Sequence, residues 1–248
     1  MSELRLVGAH RPPAARLLGR TLDLVFPPRC VSCESFGAFI CESCLARVTR
    51  ADPPRCPVCW MPIREPAGEP PPGRACGRCG ASRSSFTAVR SVFVYEAAAR
   101  DAVHALKFRG LSAIAPPMAV LMAEQLVDWS PPVDSIVPVP LAGSRRRQRG
   151  YNQSELLAKE LSRLTAVPLA PRALVRPRSA SPQYRLSDRD ERRRNVSGVF
   201  KSGKRVPEGG VLLVDDVMTT GATLDACARV LMETGAGPVF GLAFARED

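Results

Sequence analysis

Two adjacent carboxylates, Asp215 and Asp216, follow the unbroken apolar run Val211 to Val214 and precede the hydroxyl- and Gly-rich stretch Met218 to Thr223. A run of β-branched residues and Leu of this kind is the pattern of a strand buried on both faces of a parallel sheet. The carboxylates at its end cannot both be core residues, because unpaired buried charge is strongly penalised or neutralises. They must face something polar. From Thr223 to Glu233 the apolar spacing is that of a helix, and the N–H groups at a helix start attract anions. Phosphate on the turn and sugar hydroxyls on the carboxylates describe a site for a phosphorylated ribose. An ordinary strand-to-helix turn would explain the apolar run but leaves the Asp pair without a reason.

The second group with chemistry is a set of four C-x-x-C pairs: Cys30/Cys33, Cys41/Cys44, Cys56/Cys59 and Cys76/Cys79. Each pair can form a knuckle that aims two thiolates at one metal, and two knuckles complete a closed, structural tetrathiolate zinc site. Sequential pairing needs the shortest loops, giving Cys30, Cys33, Cys41 and Cys44 to one zinc and Cys56, Cys59, Cys76 and Cys79 to the other. A crossed, RING-like pairing and an iron–sulfur cluster are the alternatives. The segment holds few large apolar residues, mainly Phe36, Phe39, Ile40, Val58, Trp60 and Met61. Metal must therefore supply much of its folding free energy. The ninth cysteine, Cys227, lies on the apolar side of its helix and reads as packing rather than as a nucleophile.

A chain of 248 residues can hold these two groups in two domains, read as 1–85 and 86–248. No apolar run approaches the roughly 18 residues of a membrane helix, and the Arg-containing start lacks the apolar core of a signal peptide. A cytoplasmic location is expected, and cysteines in a reducing compartment favour metal over disulfides. The formal charge of +11 overstates the basicity, since each tetrathiolate zinc site carries two negative charges. The remaining excess belongs mainly to the second domain, in Arg145 to Arg149 and Arg189 to Arg194. Such local clusters suggest a polyanionic ligand rather than a broad nucleic-acid face.

In order along the chain, residues 1–13 show no usable periodicity, and Ala14 to Phe26 reads as a short amphipathic helix closed by Pro27 and Pro28. Pro66 to Gly73 reads as a surface loop. Phe86 to Tyr95 reads as a strand, Ala97 to Phe108 as a helix capped by Gly110, and Met118 to Val127 as another helix. A strand from Asp134 then leads into a polar loop, Gly143 to Ser154, and the helix Glu155 to Leu164. Arg172 to Pro177 reads as a strand, Arg178 to Asn195 as a long polar loop, and Pro238 to Ala245 as the last strand. Long loops in compact domains are usually functional. His104 and His10 read as ordinary surface or packed residues, and no Walker A sequence is present.

At Val211 to Thr223 the sequence resembles the signature of type I phosphoribosyltransferases, which bind phosphoribosyl pyrophosphate (PRPP). More narrowly, it resembles the competence protein ComF family, which joins a double zinc ribbon to such a domain. The resemblance rests on the Cys pairs after an amphipathic leader, Ala105 to Gly110 (A-L-K-F-R-G), Arg149 to Gln153 (R-G-Y-N-Q), and Arg192 to Phe200 followed by the signature. It spans residues from about 17 to 245, and Tyr151 stands where Phe is commoner.

The fold this implies is α/β: a type I phosphoribosyltransferase-like, mainly parallel sheet flanked by helices, with a small N-terminal double zinc-ribbon domain. It implies two structural Zn²⁺, and Mg²⁺ with PRPP. Asp215, Asp216 and Arg192 would be catalytic. Thr219, Thr220, Gly221, Ala222, Thr223, Arg149, Gly150, Asn152, Gln153, Gln183, Asn195 and Lys107 would bind PRPP. The resemblance also implies a link to DNA uptake, with single-stranded DNA and a DNA-translocating ATPase as partners, and a fold that frequently forms homodimers. Three functions stay open: a transferase passing phosphoribose to an unknown acceptor, a non-catalytic nucleotide- or single-stranded-DNA-binding adaptor, and an assembly surface without transfer activity.

Overall fold

The computed structural model describes residues 27–63, 75–81, 84–177 and 198–248. The leader helix read over 14–26, the loop 66–73 and the polar loop 178–195 lie outside them. In chain order the elements are α1 (Glu42–Leu45), α2 (Gly77–Ala81), β1 (Ala88–Val94), α3 (Ala97–Phe108), α4 (Ala115–Trp129), β2 (Ser135–Pro138), α5 (Gly143–Arg149), α6 (Gln153–Thr165), β3 (Leu174–Val175), β4 (Lys201–Ser202), β5 (Val211–Met218), α7 (Ala222–Glu233) and β6 (Val239–Arg246).

The four longer strands form one parallel sheet in the order β1-β6-β5-β2, and β3 pairs with β4 in a separate two-stranded antiparallel sheet. β6 is buried at every position, and β5 is buried from Val211 to Val214. That follows from the continuous apolar runs and from helices on both faces. On one face Leu212, Val214, Leu242 and Phe244 share a core with α3, α4 and α6. On the other, Val211, Leu213 and Ala243 pack against α7 through Leu224, Cys227 and Leu231. Each fully buried large side chain contributes roughly 1.5–3 kcal/mol. The parallel α/β class and the two tetracysteine clusters are those expected from the sequence.

Several boundaries differ from the sequence reading, each for a local reason. The Arg-rich stretch read as a polar loop is helical as α5, because Arg and Gln are good helix formers and the stop is deferred to Gly150 at φ 81°. α6 begins at Gln153 rather than Glu155, with Asn152 as its cap. α4 starts at Ala115, since Pro116 and Pro117 fit a first helical turn. β3 is confined to Leu174–Val175, where it pairs with β4 among the described residues. β5 continues to Met218, in register with β6 to the pair Met218–Arg246. Asp215 and Asp216 therefore lie inside the strand rather than after it.

The cysteine-bearing segments are built onto this sheet. Ala51 N donates to Val92 O at 2.9 Å and Val94 N to Thr49 O at 2.9 Å, so residues 49–51 lie antiparallel along β1. On the opposite side Leu169 forms a parallel bridge with Ile136 of β2. Cys30, Cys44 and Val48 belong to the same core as α3 and α4, whereas Cys56, Cys59 and Trp60 belong to the core under α7. Arg90 of β1 ties the second cluster's segment down: its guanidinium lies 3.9 Å from the Trp60 ring centroid and 4.9 Å from that of Trp129. It also donates to Pro57 O at 2.8 Å. Burial pushes its pKa down to about 10.

Because Cys44 is buried in the common core, losing it should unsettle the sheet domain and not only the ribbon. Cys44→Ser should lower Tm by about 10 °C in one transition, taking a loss of about 3–5 kcal/mol at about 2–4 °C per kcal/mol. Thermal denaturation followed by circular dichroism checks this. A separate low-temperature melting step with the main transition unmoved would contradict it.

Candidate functional site

The alternation of β5 sends its two carboxylates in different directions. Asp216, 3% exposed, meets Lys107 from the last turn of α3, with Nζ 2.9 Å from Oδ1. A cation there also suits the negative end of the helix dipole. The second oxygen, Oδ2, is buried and has no hydrogen-bond partner among the described residues. Asp215 turns toward the start of α6, where Ser154 Oγ donates to its Oδ1 at 2.9 Å. The same oxygen accepts from Asp216 N at 2.9 Å. Burial, and then the neighbouring charge of Asp216, raise the Asp215 pKa from 3.8 to about 7, with Lys107 and Ser154 opposing.

Among the described residues, one ammonium against two carboxylates leaves the site short of positive charge and of donors. A divalent cation or a ligand's hydroxyls fit that deficit, with the orphaned Asp216 Oδ2 as acceptor. Just beyond, the β5–α7 turn is shaped by Gly221, whose φ of 78° is left-handed and favours glycine. Thr220 Oγ1 accepts from Ala222 N at 3.3 Å, so the helix starts at Ala222, one residue before Thr223. Thr219 is exposed, and Thr220, Ala222 and Thr223 are half-buried. The first N–H groups of α7, a helix of 12 residues, lack intrahelical acceptors and form an anion-attracting end.

The stretch Arg149 to Gln153 is divided between the site and its supports. The Arg149 guanidinium lies 5.0 Å from the Phe108 ring centroid, next to Lys107. Tyr151 ties the stretch to α3, donating its hydroxyl proton to Leu106 O at 2.5 Å. Asn152 is used within the protein, donating to Val139 O at 3.0 Å and capping α6 through Ser154 N at 3.2 Å. It thereby holds Ser154 against Asp215. Gln153 is buried, with its Oε1 unpartnered among the described residues. Gln183, Arg192 and Asn195 lie outside the described residues. Ser154 is the contact that sequence reasoning missed, although a hydroxyl two residues after an Asn cap was a usable signal. His104 packs at a tilt against Phe108, with centroids 4.7 Å apart and ring planes 51° apart. Burial pushes the Cys227 thiol well up, in keeping with packing.

The cysteines gather as the sequential pairing requires: Cys30, Cys33, Cys41 and Cys44 in one cluster, and Cys56, Cys59, Cys76 and Cys79 in the other, with sulfurs in each within 4.8 Å of one another. Cys33–Cys41 and Cys59–Cys76 sulfur separations of 3.5 and 3.6 Å are near the ~3.8 Å edge of a tetrahedron with ~2.3 Å Zn–S bonds. Both sets fit structural zinc, and the crossed arrangement is not the one formed. The Ser43 hydroxyl beside Cys41, with a backbone amide, holds that thiol down at about 5.

Two outcomes follow from the carboxylates. Lys107→Met leaves Asp216 buried without its partner and should cost about 3 kcal/mol in urea unfolding, most of it recovered in Lys107→Met with Asp216→Asn. Equal losses in the single and double variants would contradict the pairing. For Asp215, a folded pKa of about 7 above the ordinary 3.8 means that the folded chain keeps a proton the unfolded chain has released. Stability therefore falls as pH rises through that window. Asp215→Asn should remove this slope, gaining at most about 4 kcal/mol over wild type at pH 8 and almost nothing at pH 3. Parallel pH–stability curves would refute it.

A family model for the double zinc ribbon domain matches residues 21–82. The DNA utilization protein YhgH of Escherichia coli (strain K12) is 34% identical over 206 residues, covering 81% of this chain and 87% of that protein. The competence protein ComFC of Bacillus subtilis (strain 168) is 28% identical over 204 residues, covering 79% of each chain. Among solved structures, glutamine phosphoribosylpyrophosphate (PRPP) amidotransferase from B. subtilis, complexed with ADP and GMP, gives a TM-score of 0.40 at 18% identity, over 57% of this chain and 30% of that one. That likeness is too loose to bear on function. The identity to YhgH, extending over most of both chains, is decisive for kinship: the chain belongs to the family of the DNA utilization protein YhgH and the competence protein ComF.

Proposed function

We propose that this protein binds PRPP with Mg²⁺ at the end of β5 and transfers its phosphoribosyl group to an acceptor. The observation that carries the reading is the buried Oδ2 of Asp216, without a partner among the described residues, beside Asp215 with its raised pKa, at the mouth of a turn that opens a helix. Asp215 and Asp216 accept from the ribose hydroxyls and stabilise the positive charge that builds on the sugar as its C1–O bond breaks. The turn Thr219 to Thr223 holds the 5′-phosphate through backbone N–H groups and hydroxyls. Lys107 and Arg149 supply positive charge on the side where the pyrophosphate leaves. Mg²⁺, when bound, neutralises the charge that develops on that leaving group. Gln183, Arg192 and Asn195, which lie outside the described residues, complete the proposed machinery.

The relatives' names, DNA utilization protein and competence protein, support a place in DNA use and competence, and the proposed setting is the cytoplasm. Among the described residues no helix is long and apolar enough to cross a membrane. The second reading is a non-catalytic adaptor that binds nucleotide or single-stranded DNA beside a DNA-translocating ATPase. It is favoured by the exposed cations Arg145, Arg146 and Arg147 on α5, of which Arg146 lies 3.5 Å from Glu155.

Calorimetric titration of zinc-replete protein with PRPP and Mg²⁺ tests the first reading. Saturable binding is expected, weakened about 100-fold or more in the Asp215→Asn, Asp216→Asn variant through loss of two charge-assisted contacts. Absence of binding by the folded wild type would overturn the transferase reading and leave the adaptor.

A further inference from the structure

We infer that the second tetracysteine cluster and its Arg78 position the β5–α7 turn, so that metal held by this cluster and anion held by the turn are thermodynamically linked. This rests on the reading of the turn as a phosphate site, which it deepens by adding a regulatory input. Arg78 sits on α2, between the ligands Cys76 and Cys79, and its Nη2 donates to Thr220 O at 3.0 Å. It thus reaches the middle of the turn from a segment whose shape the cluster fixes. Further contacts hold both flanks. Ser85 N, shortly after Cys79, donates to Asp225 Oδ1 at 2.6 Å in the first turn of α7. The Phe86 ring backs Gly221, with carbons 3.8 Å from where a Cβ would stand. On the strand side, buried Arg246 donates to Cys59 O at 2.9 Å, Glu247 N donates to Met218 O at 3.0 Å, and Asp248 is clamped by Arg55 at 2.6 Å.

The second cluster is thus joined to the entry, the centre and the exit of one turn. The first shares its core with α3 and α4 instead. A segment that orders around metal and holds a carbonyl of the turn reduces the turn's freedom before any anion arrives, and linkage makes that effect reciprocal.

Amide hydrogen exchange of the intact, zinc-loaded protein without ligand is the first arm. In Arg78→Ala, peptides covering 216–224 should exchange about five-fold faster, as expected for one lost hydrogen bond. Two zinc ions per chain and an unchanged Tm should be retained, and Arg78→Lys, which keeps a donor, should recover most of the protection. The second arm follows zinc release to a chromogenic chelator, with and without PRPP and Mg²⁺. At equilibrium against the chelator, PRPP should raise the apparent affinity for one of the two ions about five-fold or more in wild type and not in Arg78→Ala. Unchanged exchange in 216–224 overturns the positioning role whatever PRPP does. Faster exchange in a protein that calorimetry shows not to bind PRPP supports the positioning role and sinks the phosphate reading alone. Binding of PRPP with unchanged apparent affinity for both ions overturns the linkage.

Discussion

The Asp216–Lys107 ion pair is the interaction on which the arrangement turns. A carboxylate in the middle strands of a parallel sheet is tolerable only if a cation is delivered to it, and the delivery fixes where α3 must end. Once α3 ends there, Phe108 and Arg149 are set beside it, and the Leu106 carbonyl is placed to take the Tyr151 hydroxyl. That bond brings in the loop before α6. The cap of α6 by Asn152 then presents Ser154 to Asp215. One costly charge thus organises contacts from three separate segments. Among the described residues one ammonium faces two carboxylates here, the condition a cation- or sugar-binding site needs and a purely structural one would avoid.

The tetracysteine segments do not hang from the sheet as an appendage. Their sulfurs and flanking apolar residues fill space on opposite faces of it, Cys30 and Cys44 on one side, Cys56 and Cys59 on the other. Small metal-bound units bury too little apolar surface to be secure by themselves. Lodging them in a larger core shares the cost of ordering, and the tight set of thiolates supplies what packing cannot.

Local chemistry was legible in the sequence, and long-range contact was not. The cysteine partition follows from loop lengths within some fifty residues, and the buried strand from Val211 to Val214 announces itself by composition. The same composition hid how far the strand runs. Treating Asp215 and Asp216 as the strand's terminus made them one unit, whereas a pleated strand separates neighbours, giving Asp216 to α3 and Asp215 to α6. Nothing local to Lys107 says that Asp216 will be its partner, and nothing local to Arg78 names the Thr220 carbonyl. The Arg run before Gly150 was misread because charge suggested solvent, while helix propensity and the glycine stop decided the backbone.

The strips laid along the two outer strands, residues 49–51 against β1 and Leu169 against β2, bear on how copies of the chain can meet. Exposed strand edges invite pairing with another molecule. Here part of each margin is engaged within the chain: Val92 O, Val94 N and Val89 N on β1, and both backbone groups of Ile136 on β2. Self-association by continuing the sheet from one copy into the next would first require peeling away a strip, and on the β1 side that strip leads directly into the second metal cluster. Assembly that leaves these strips in place therefore runs through helices, loops or ribbon surfaces at the bridged positions rather than through a continued sheet.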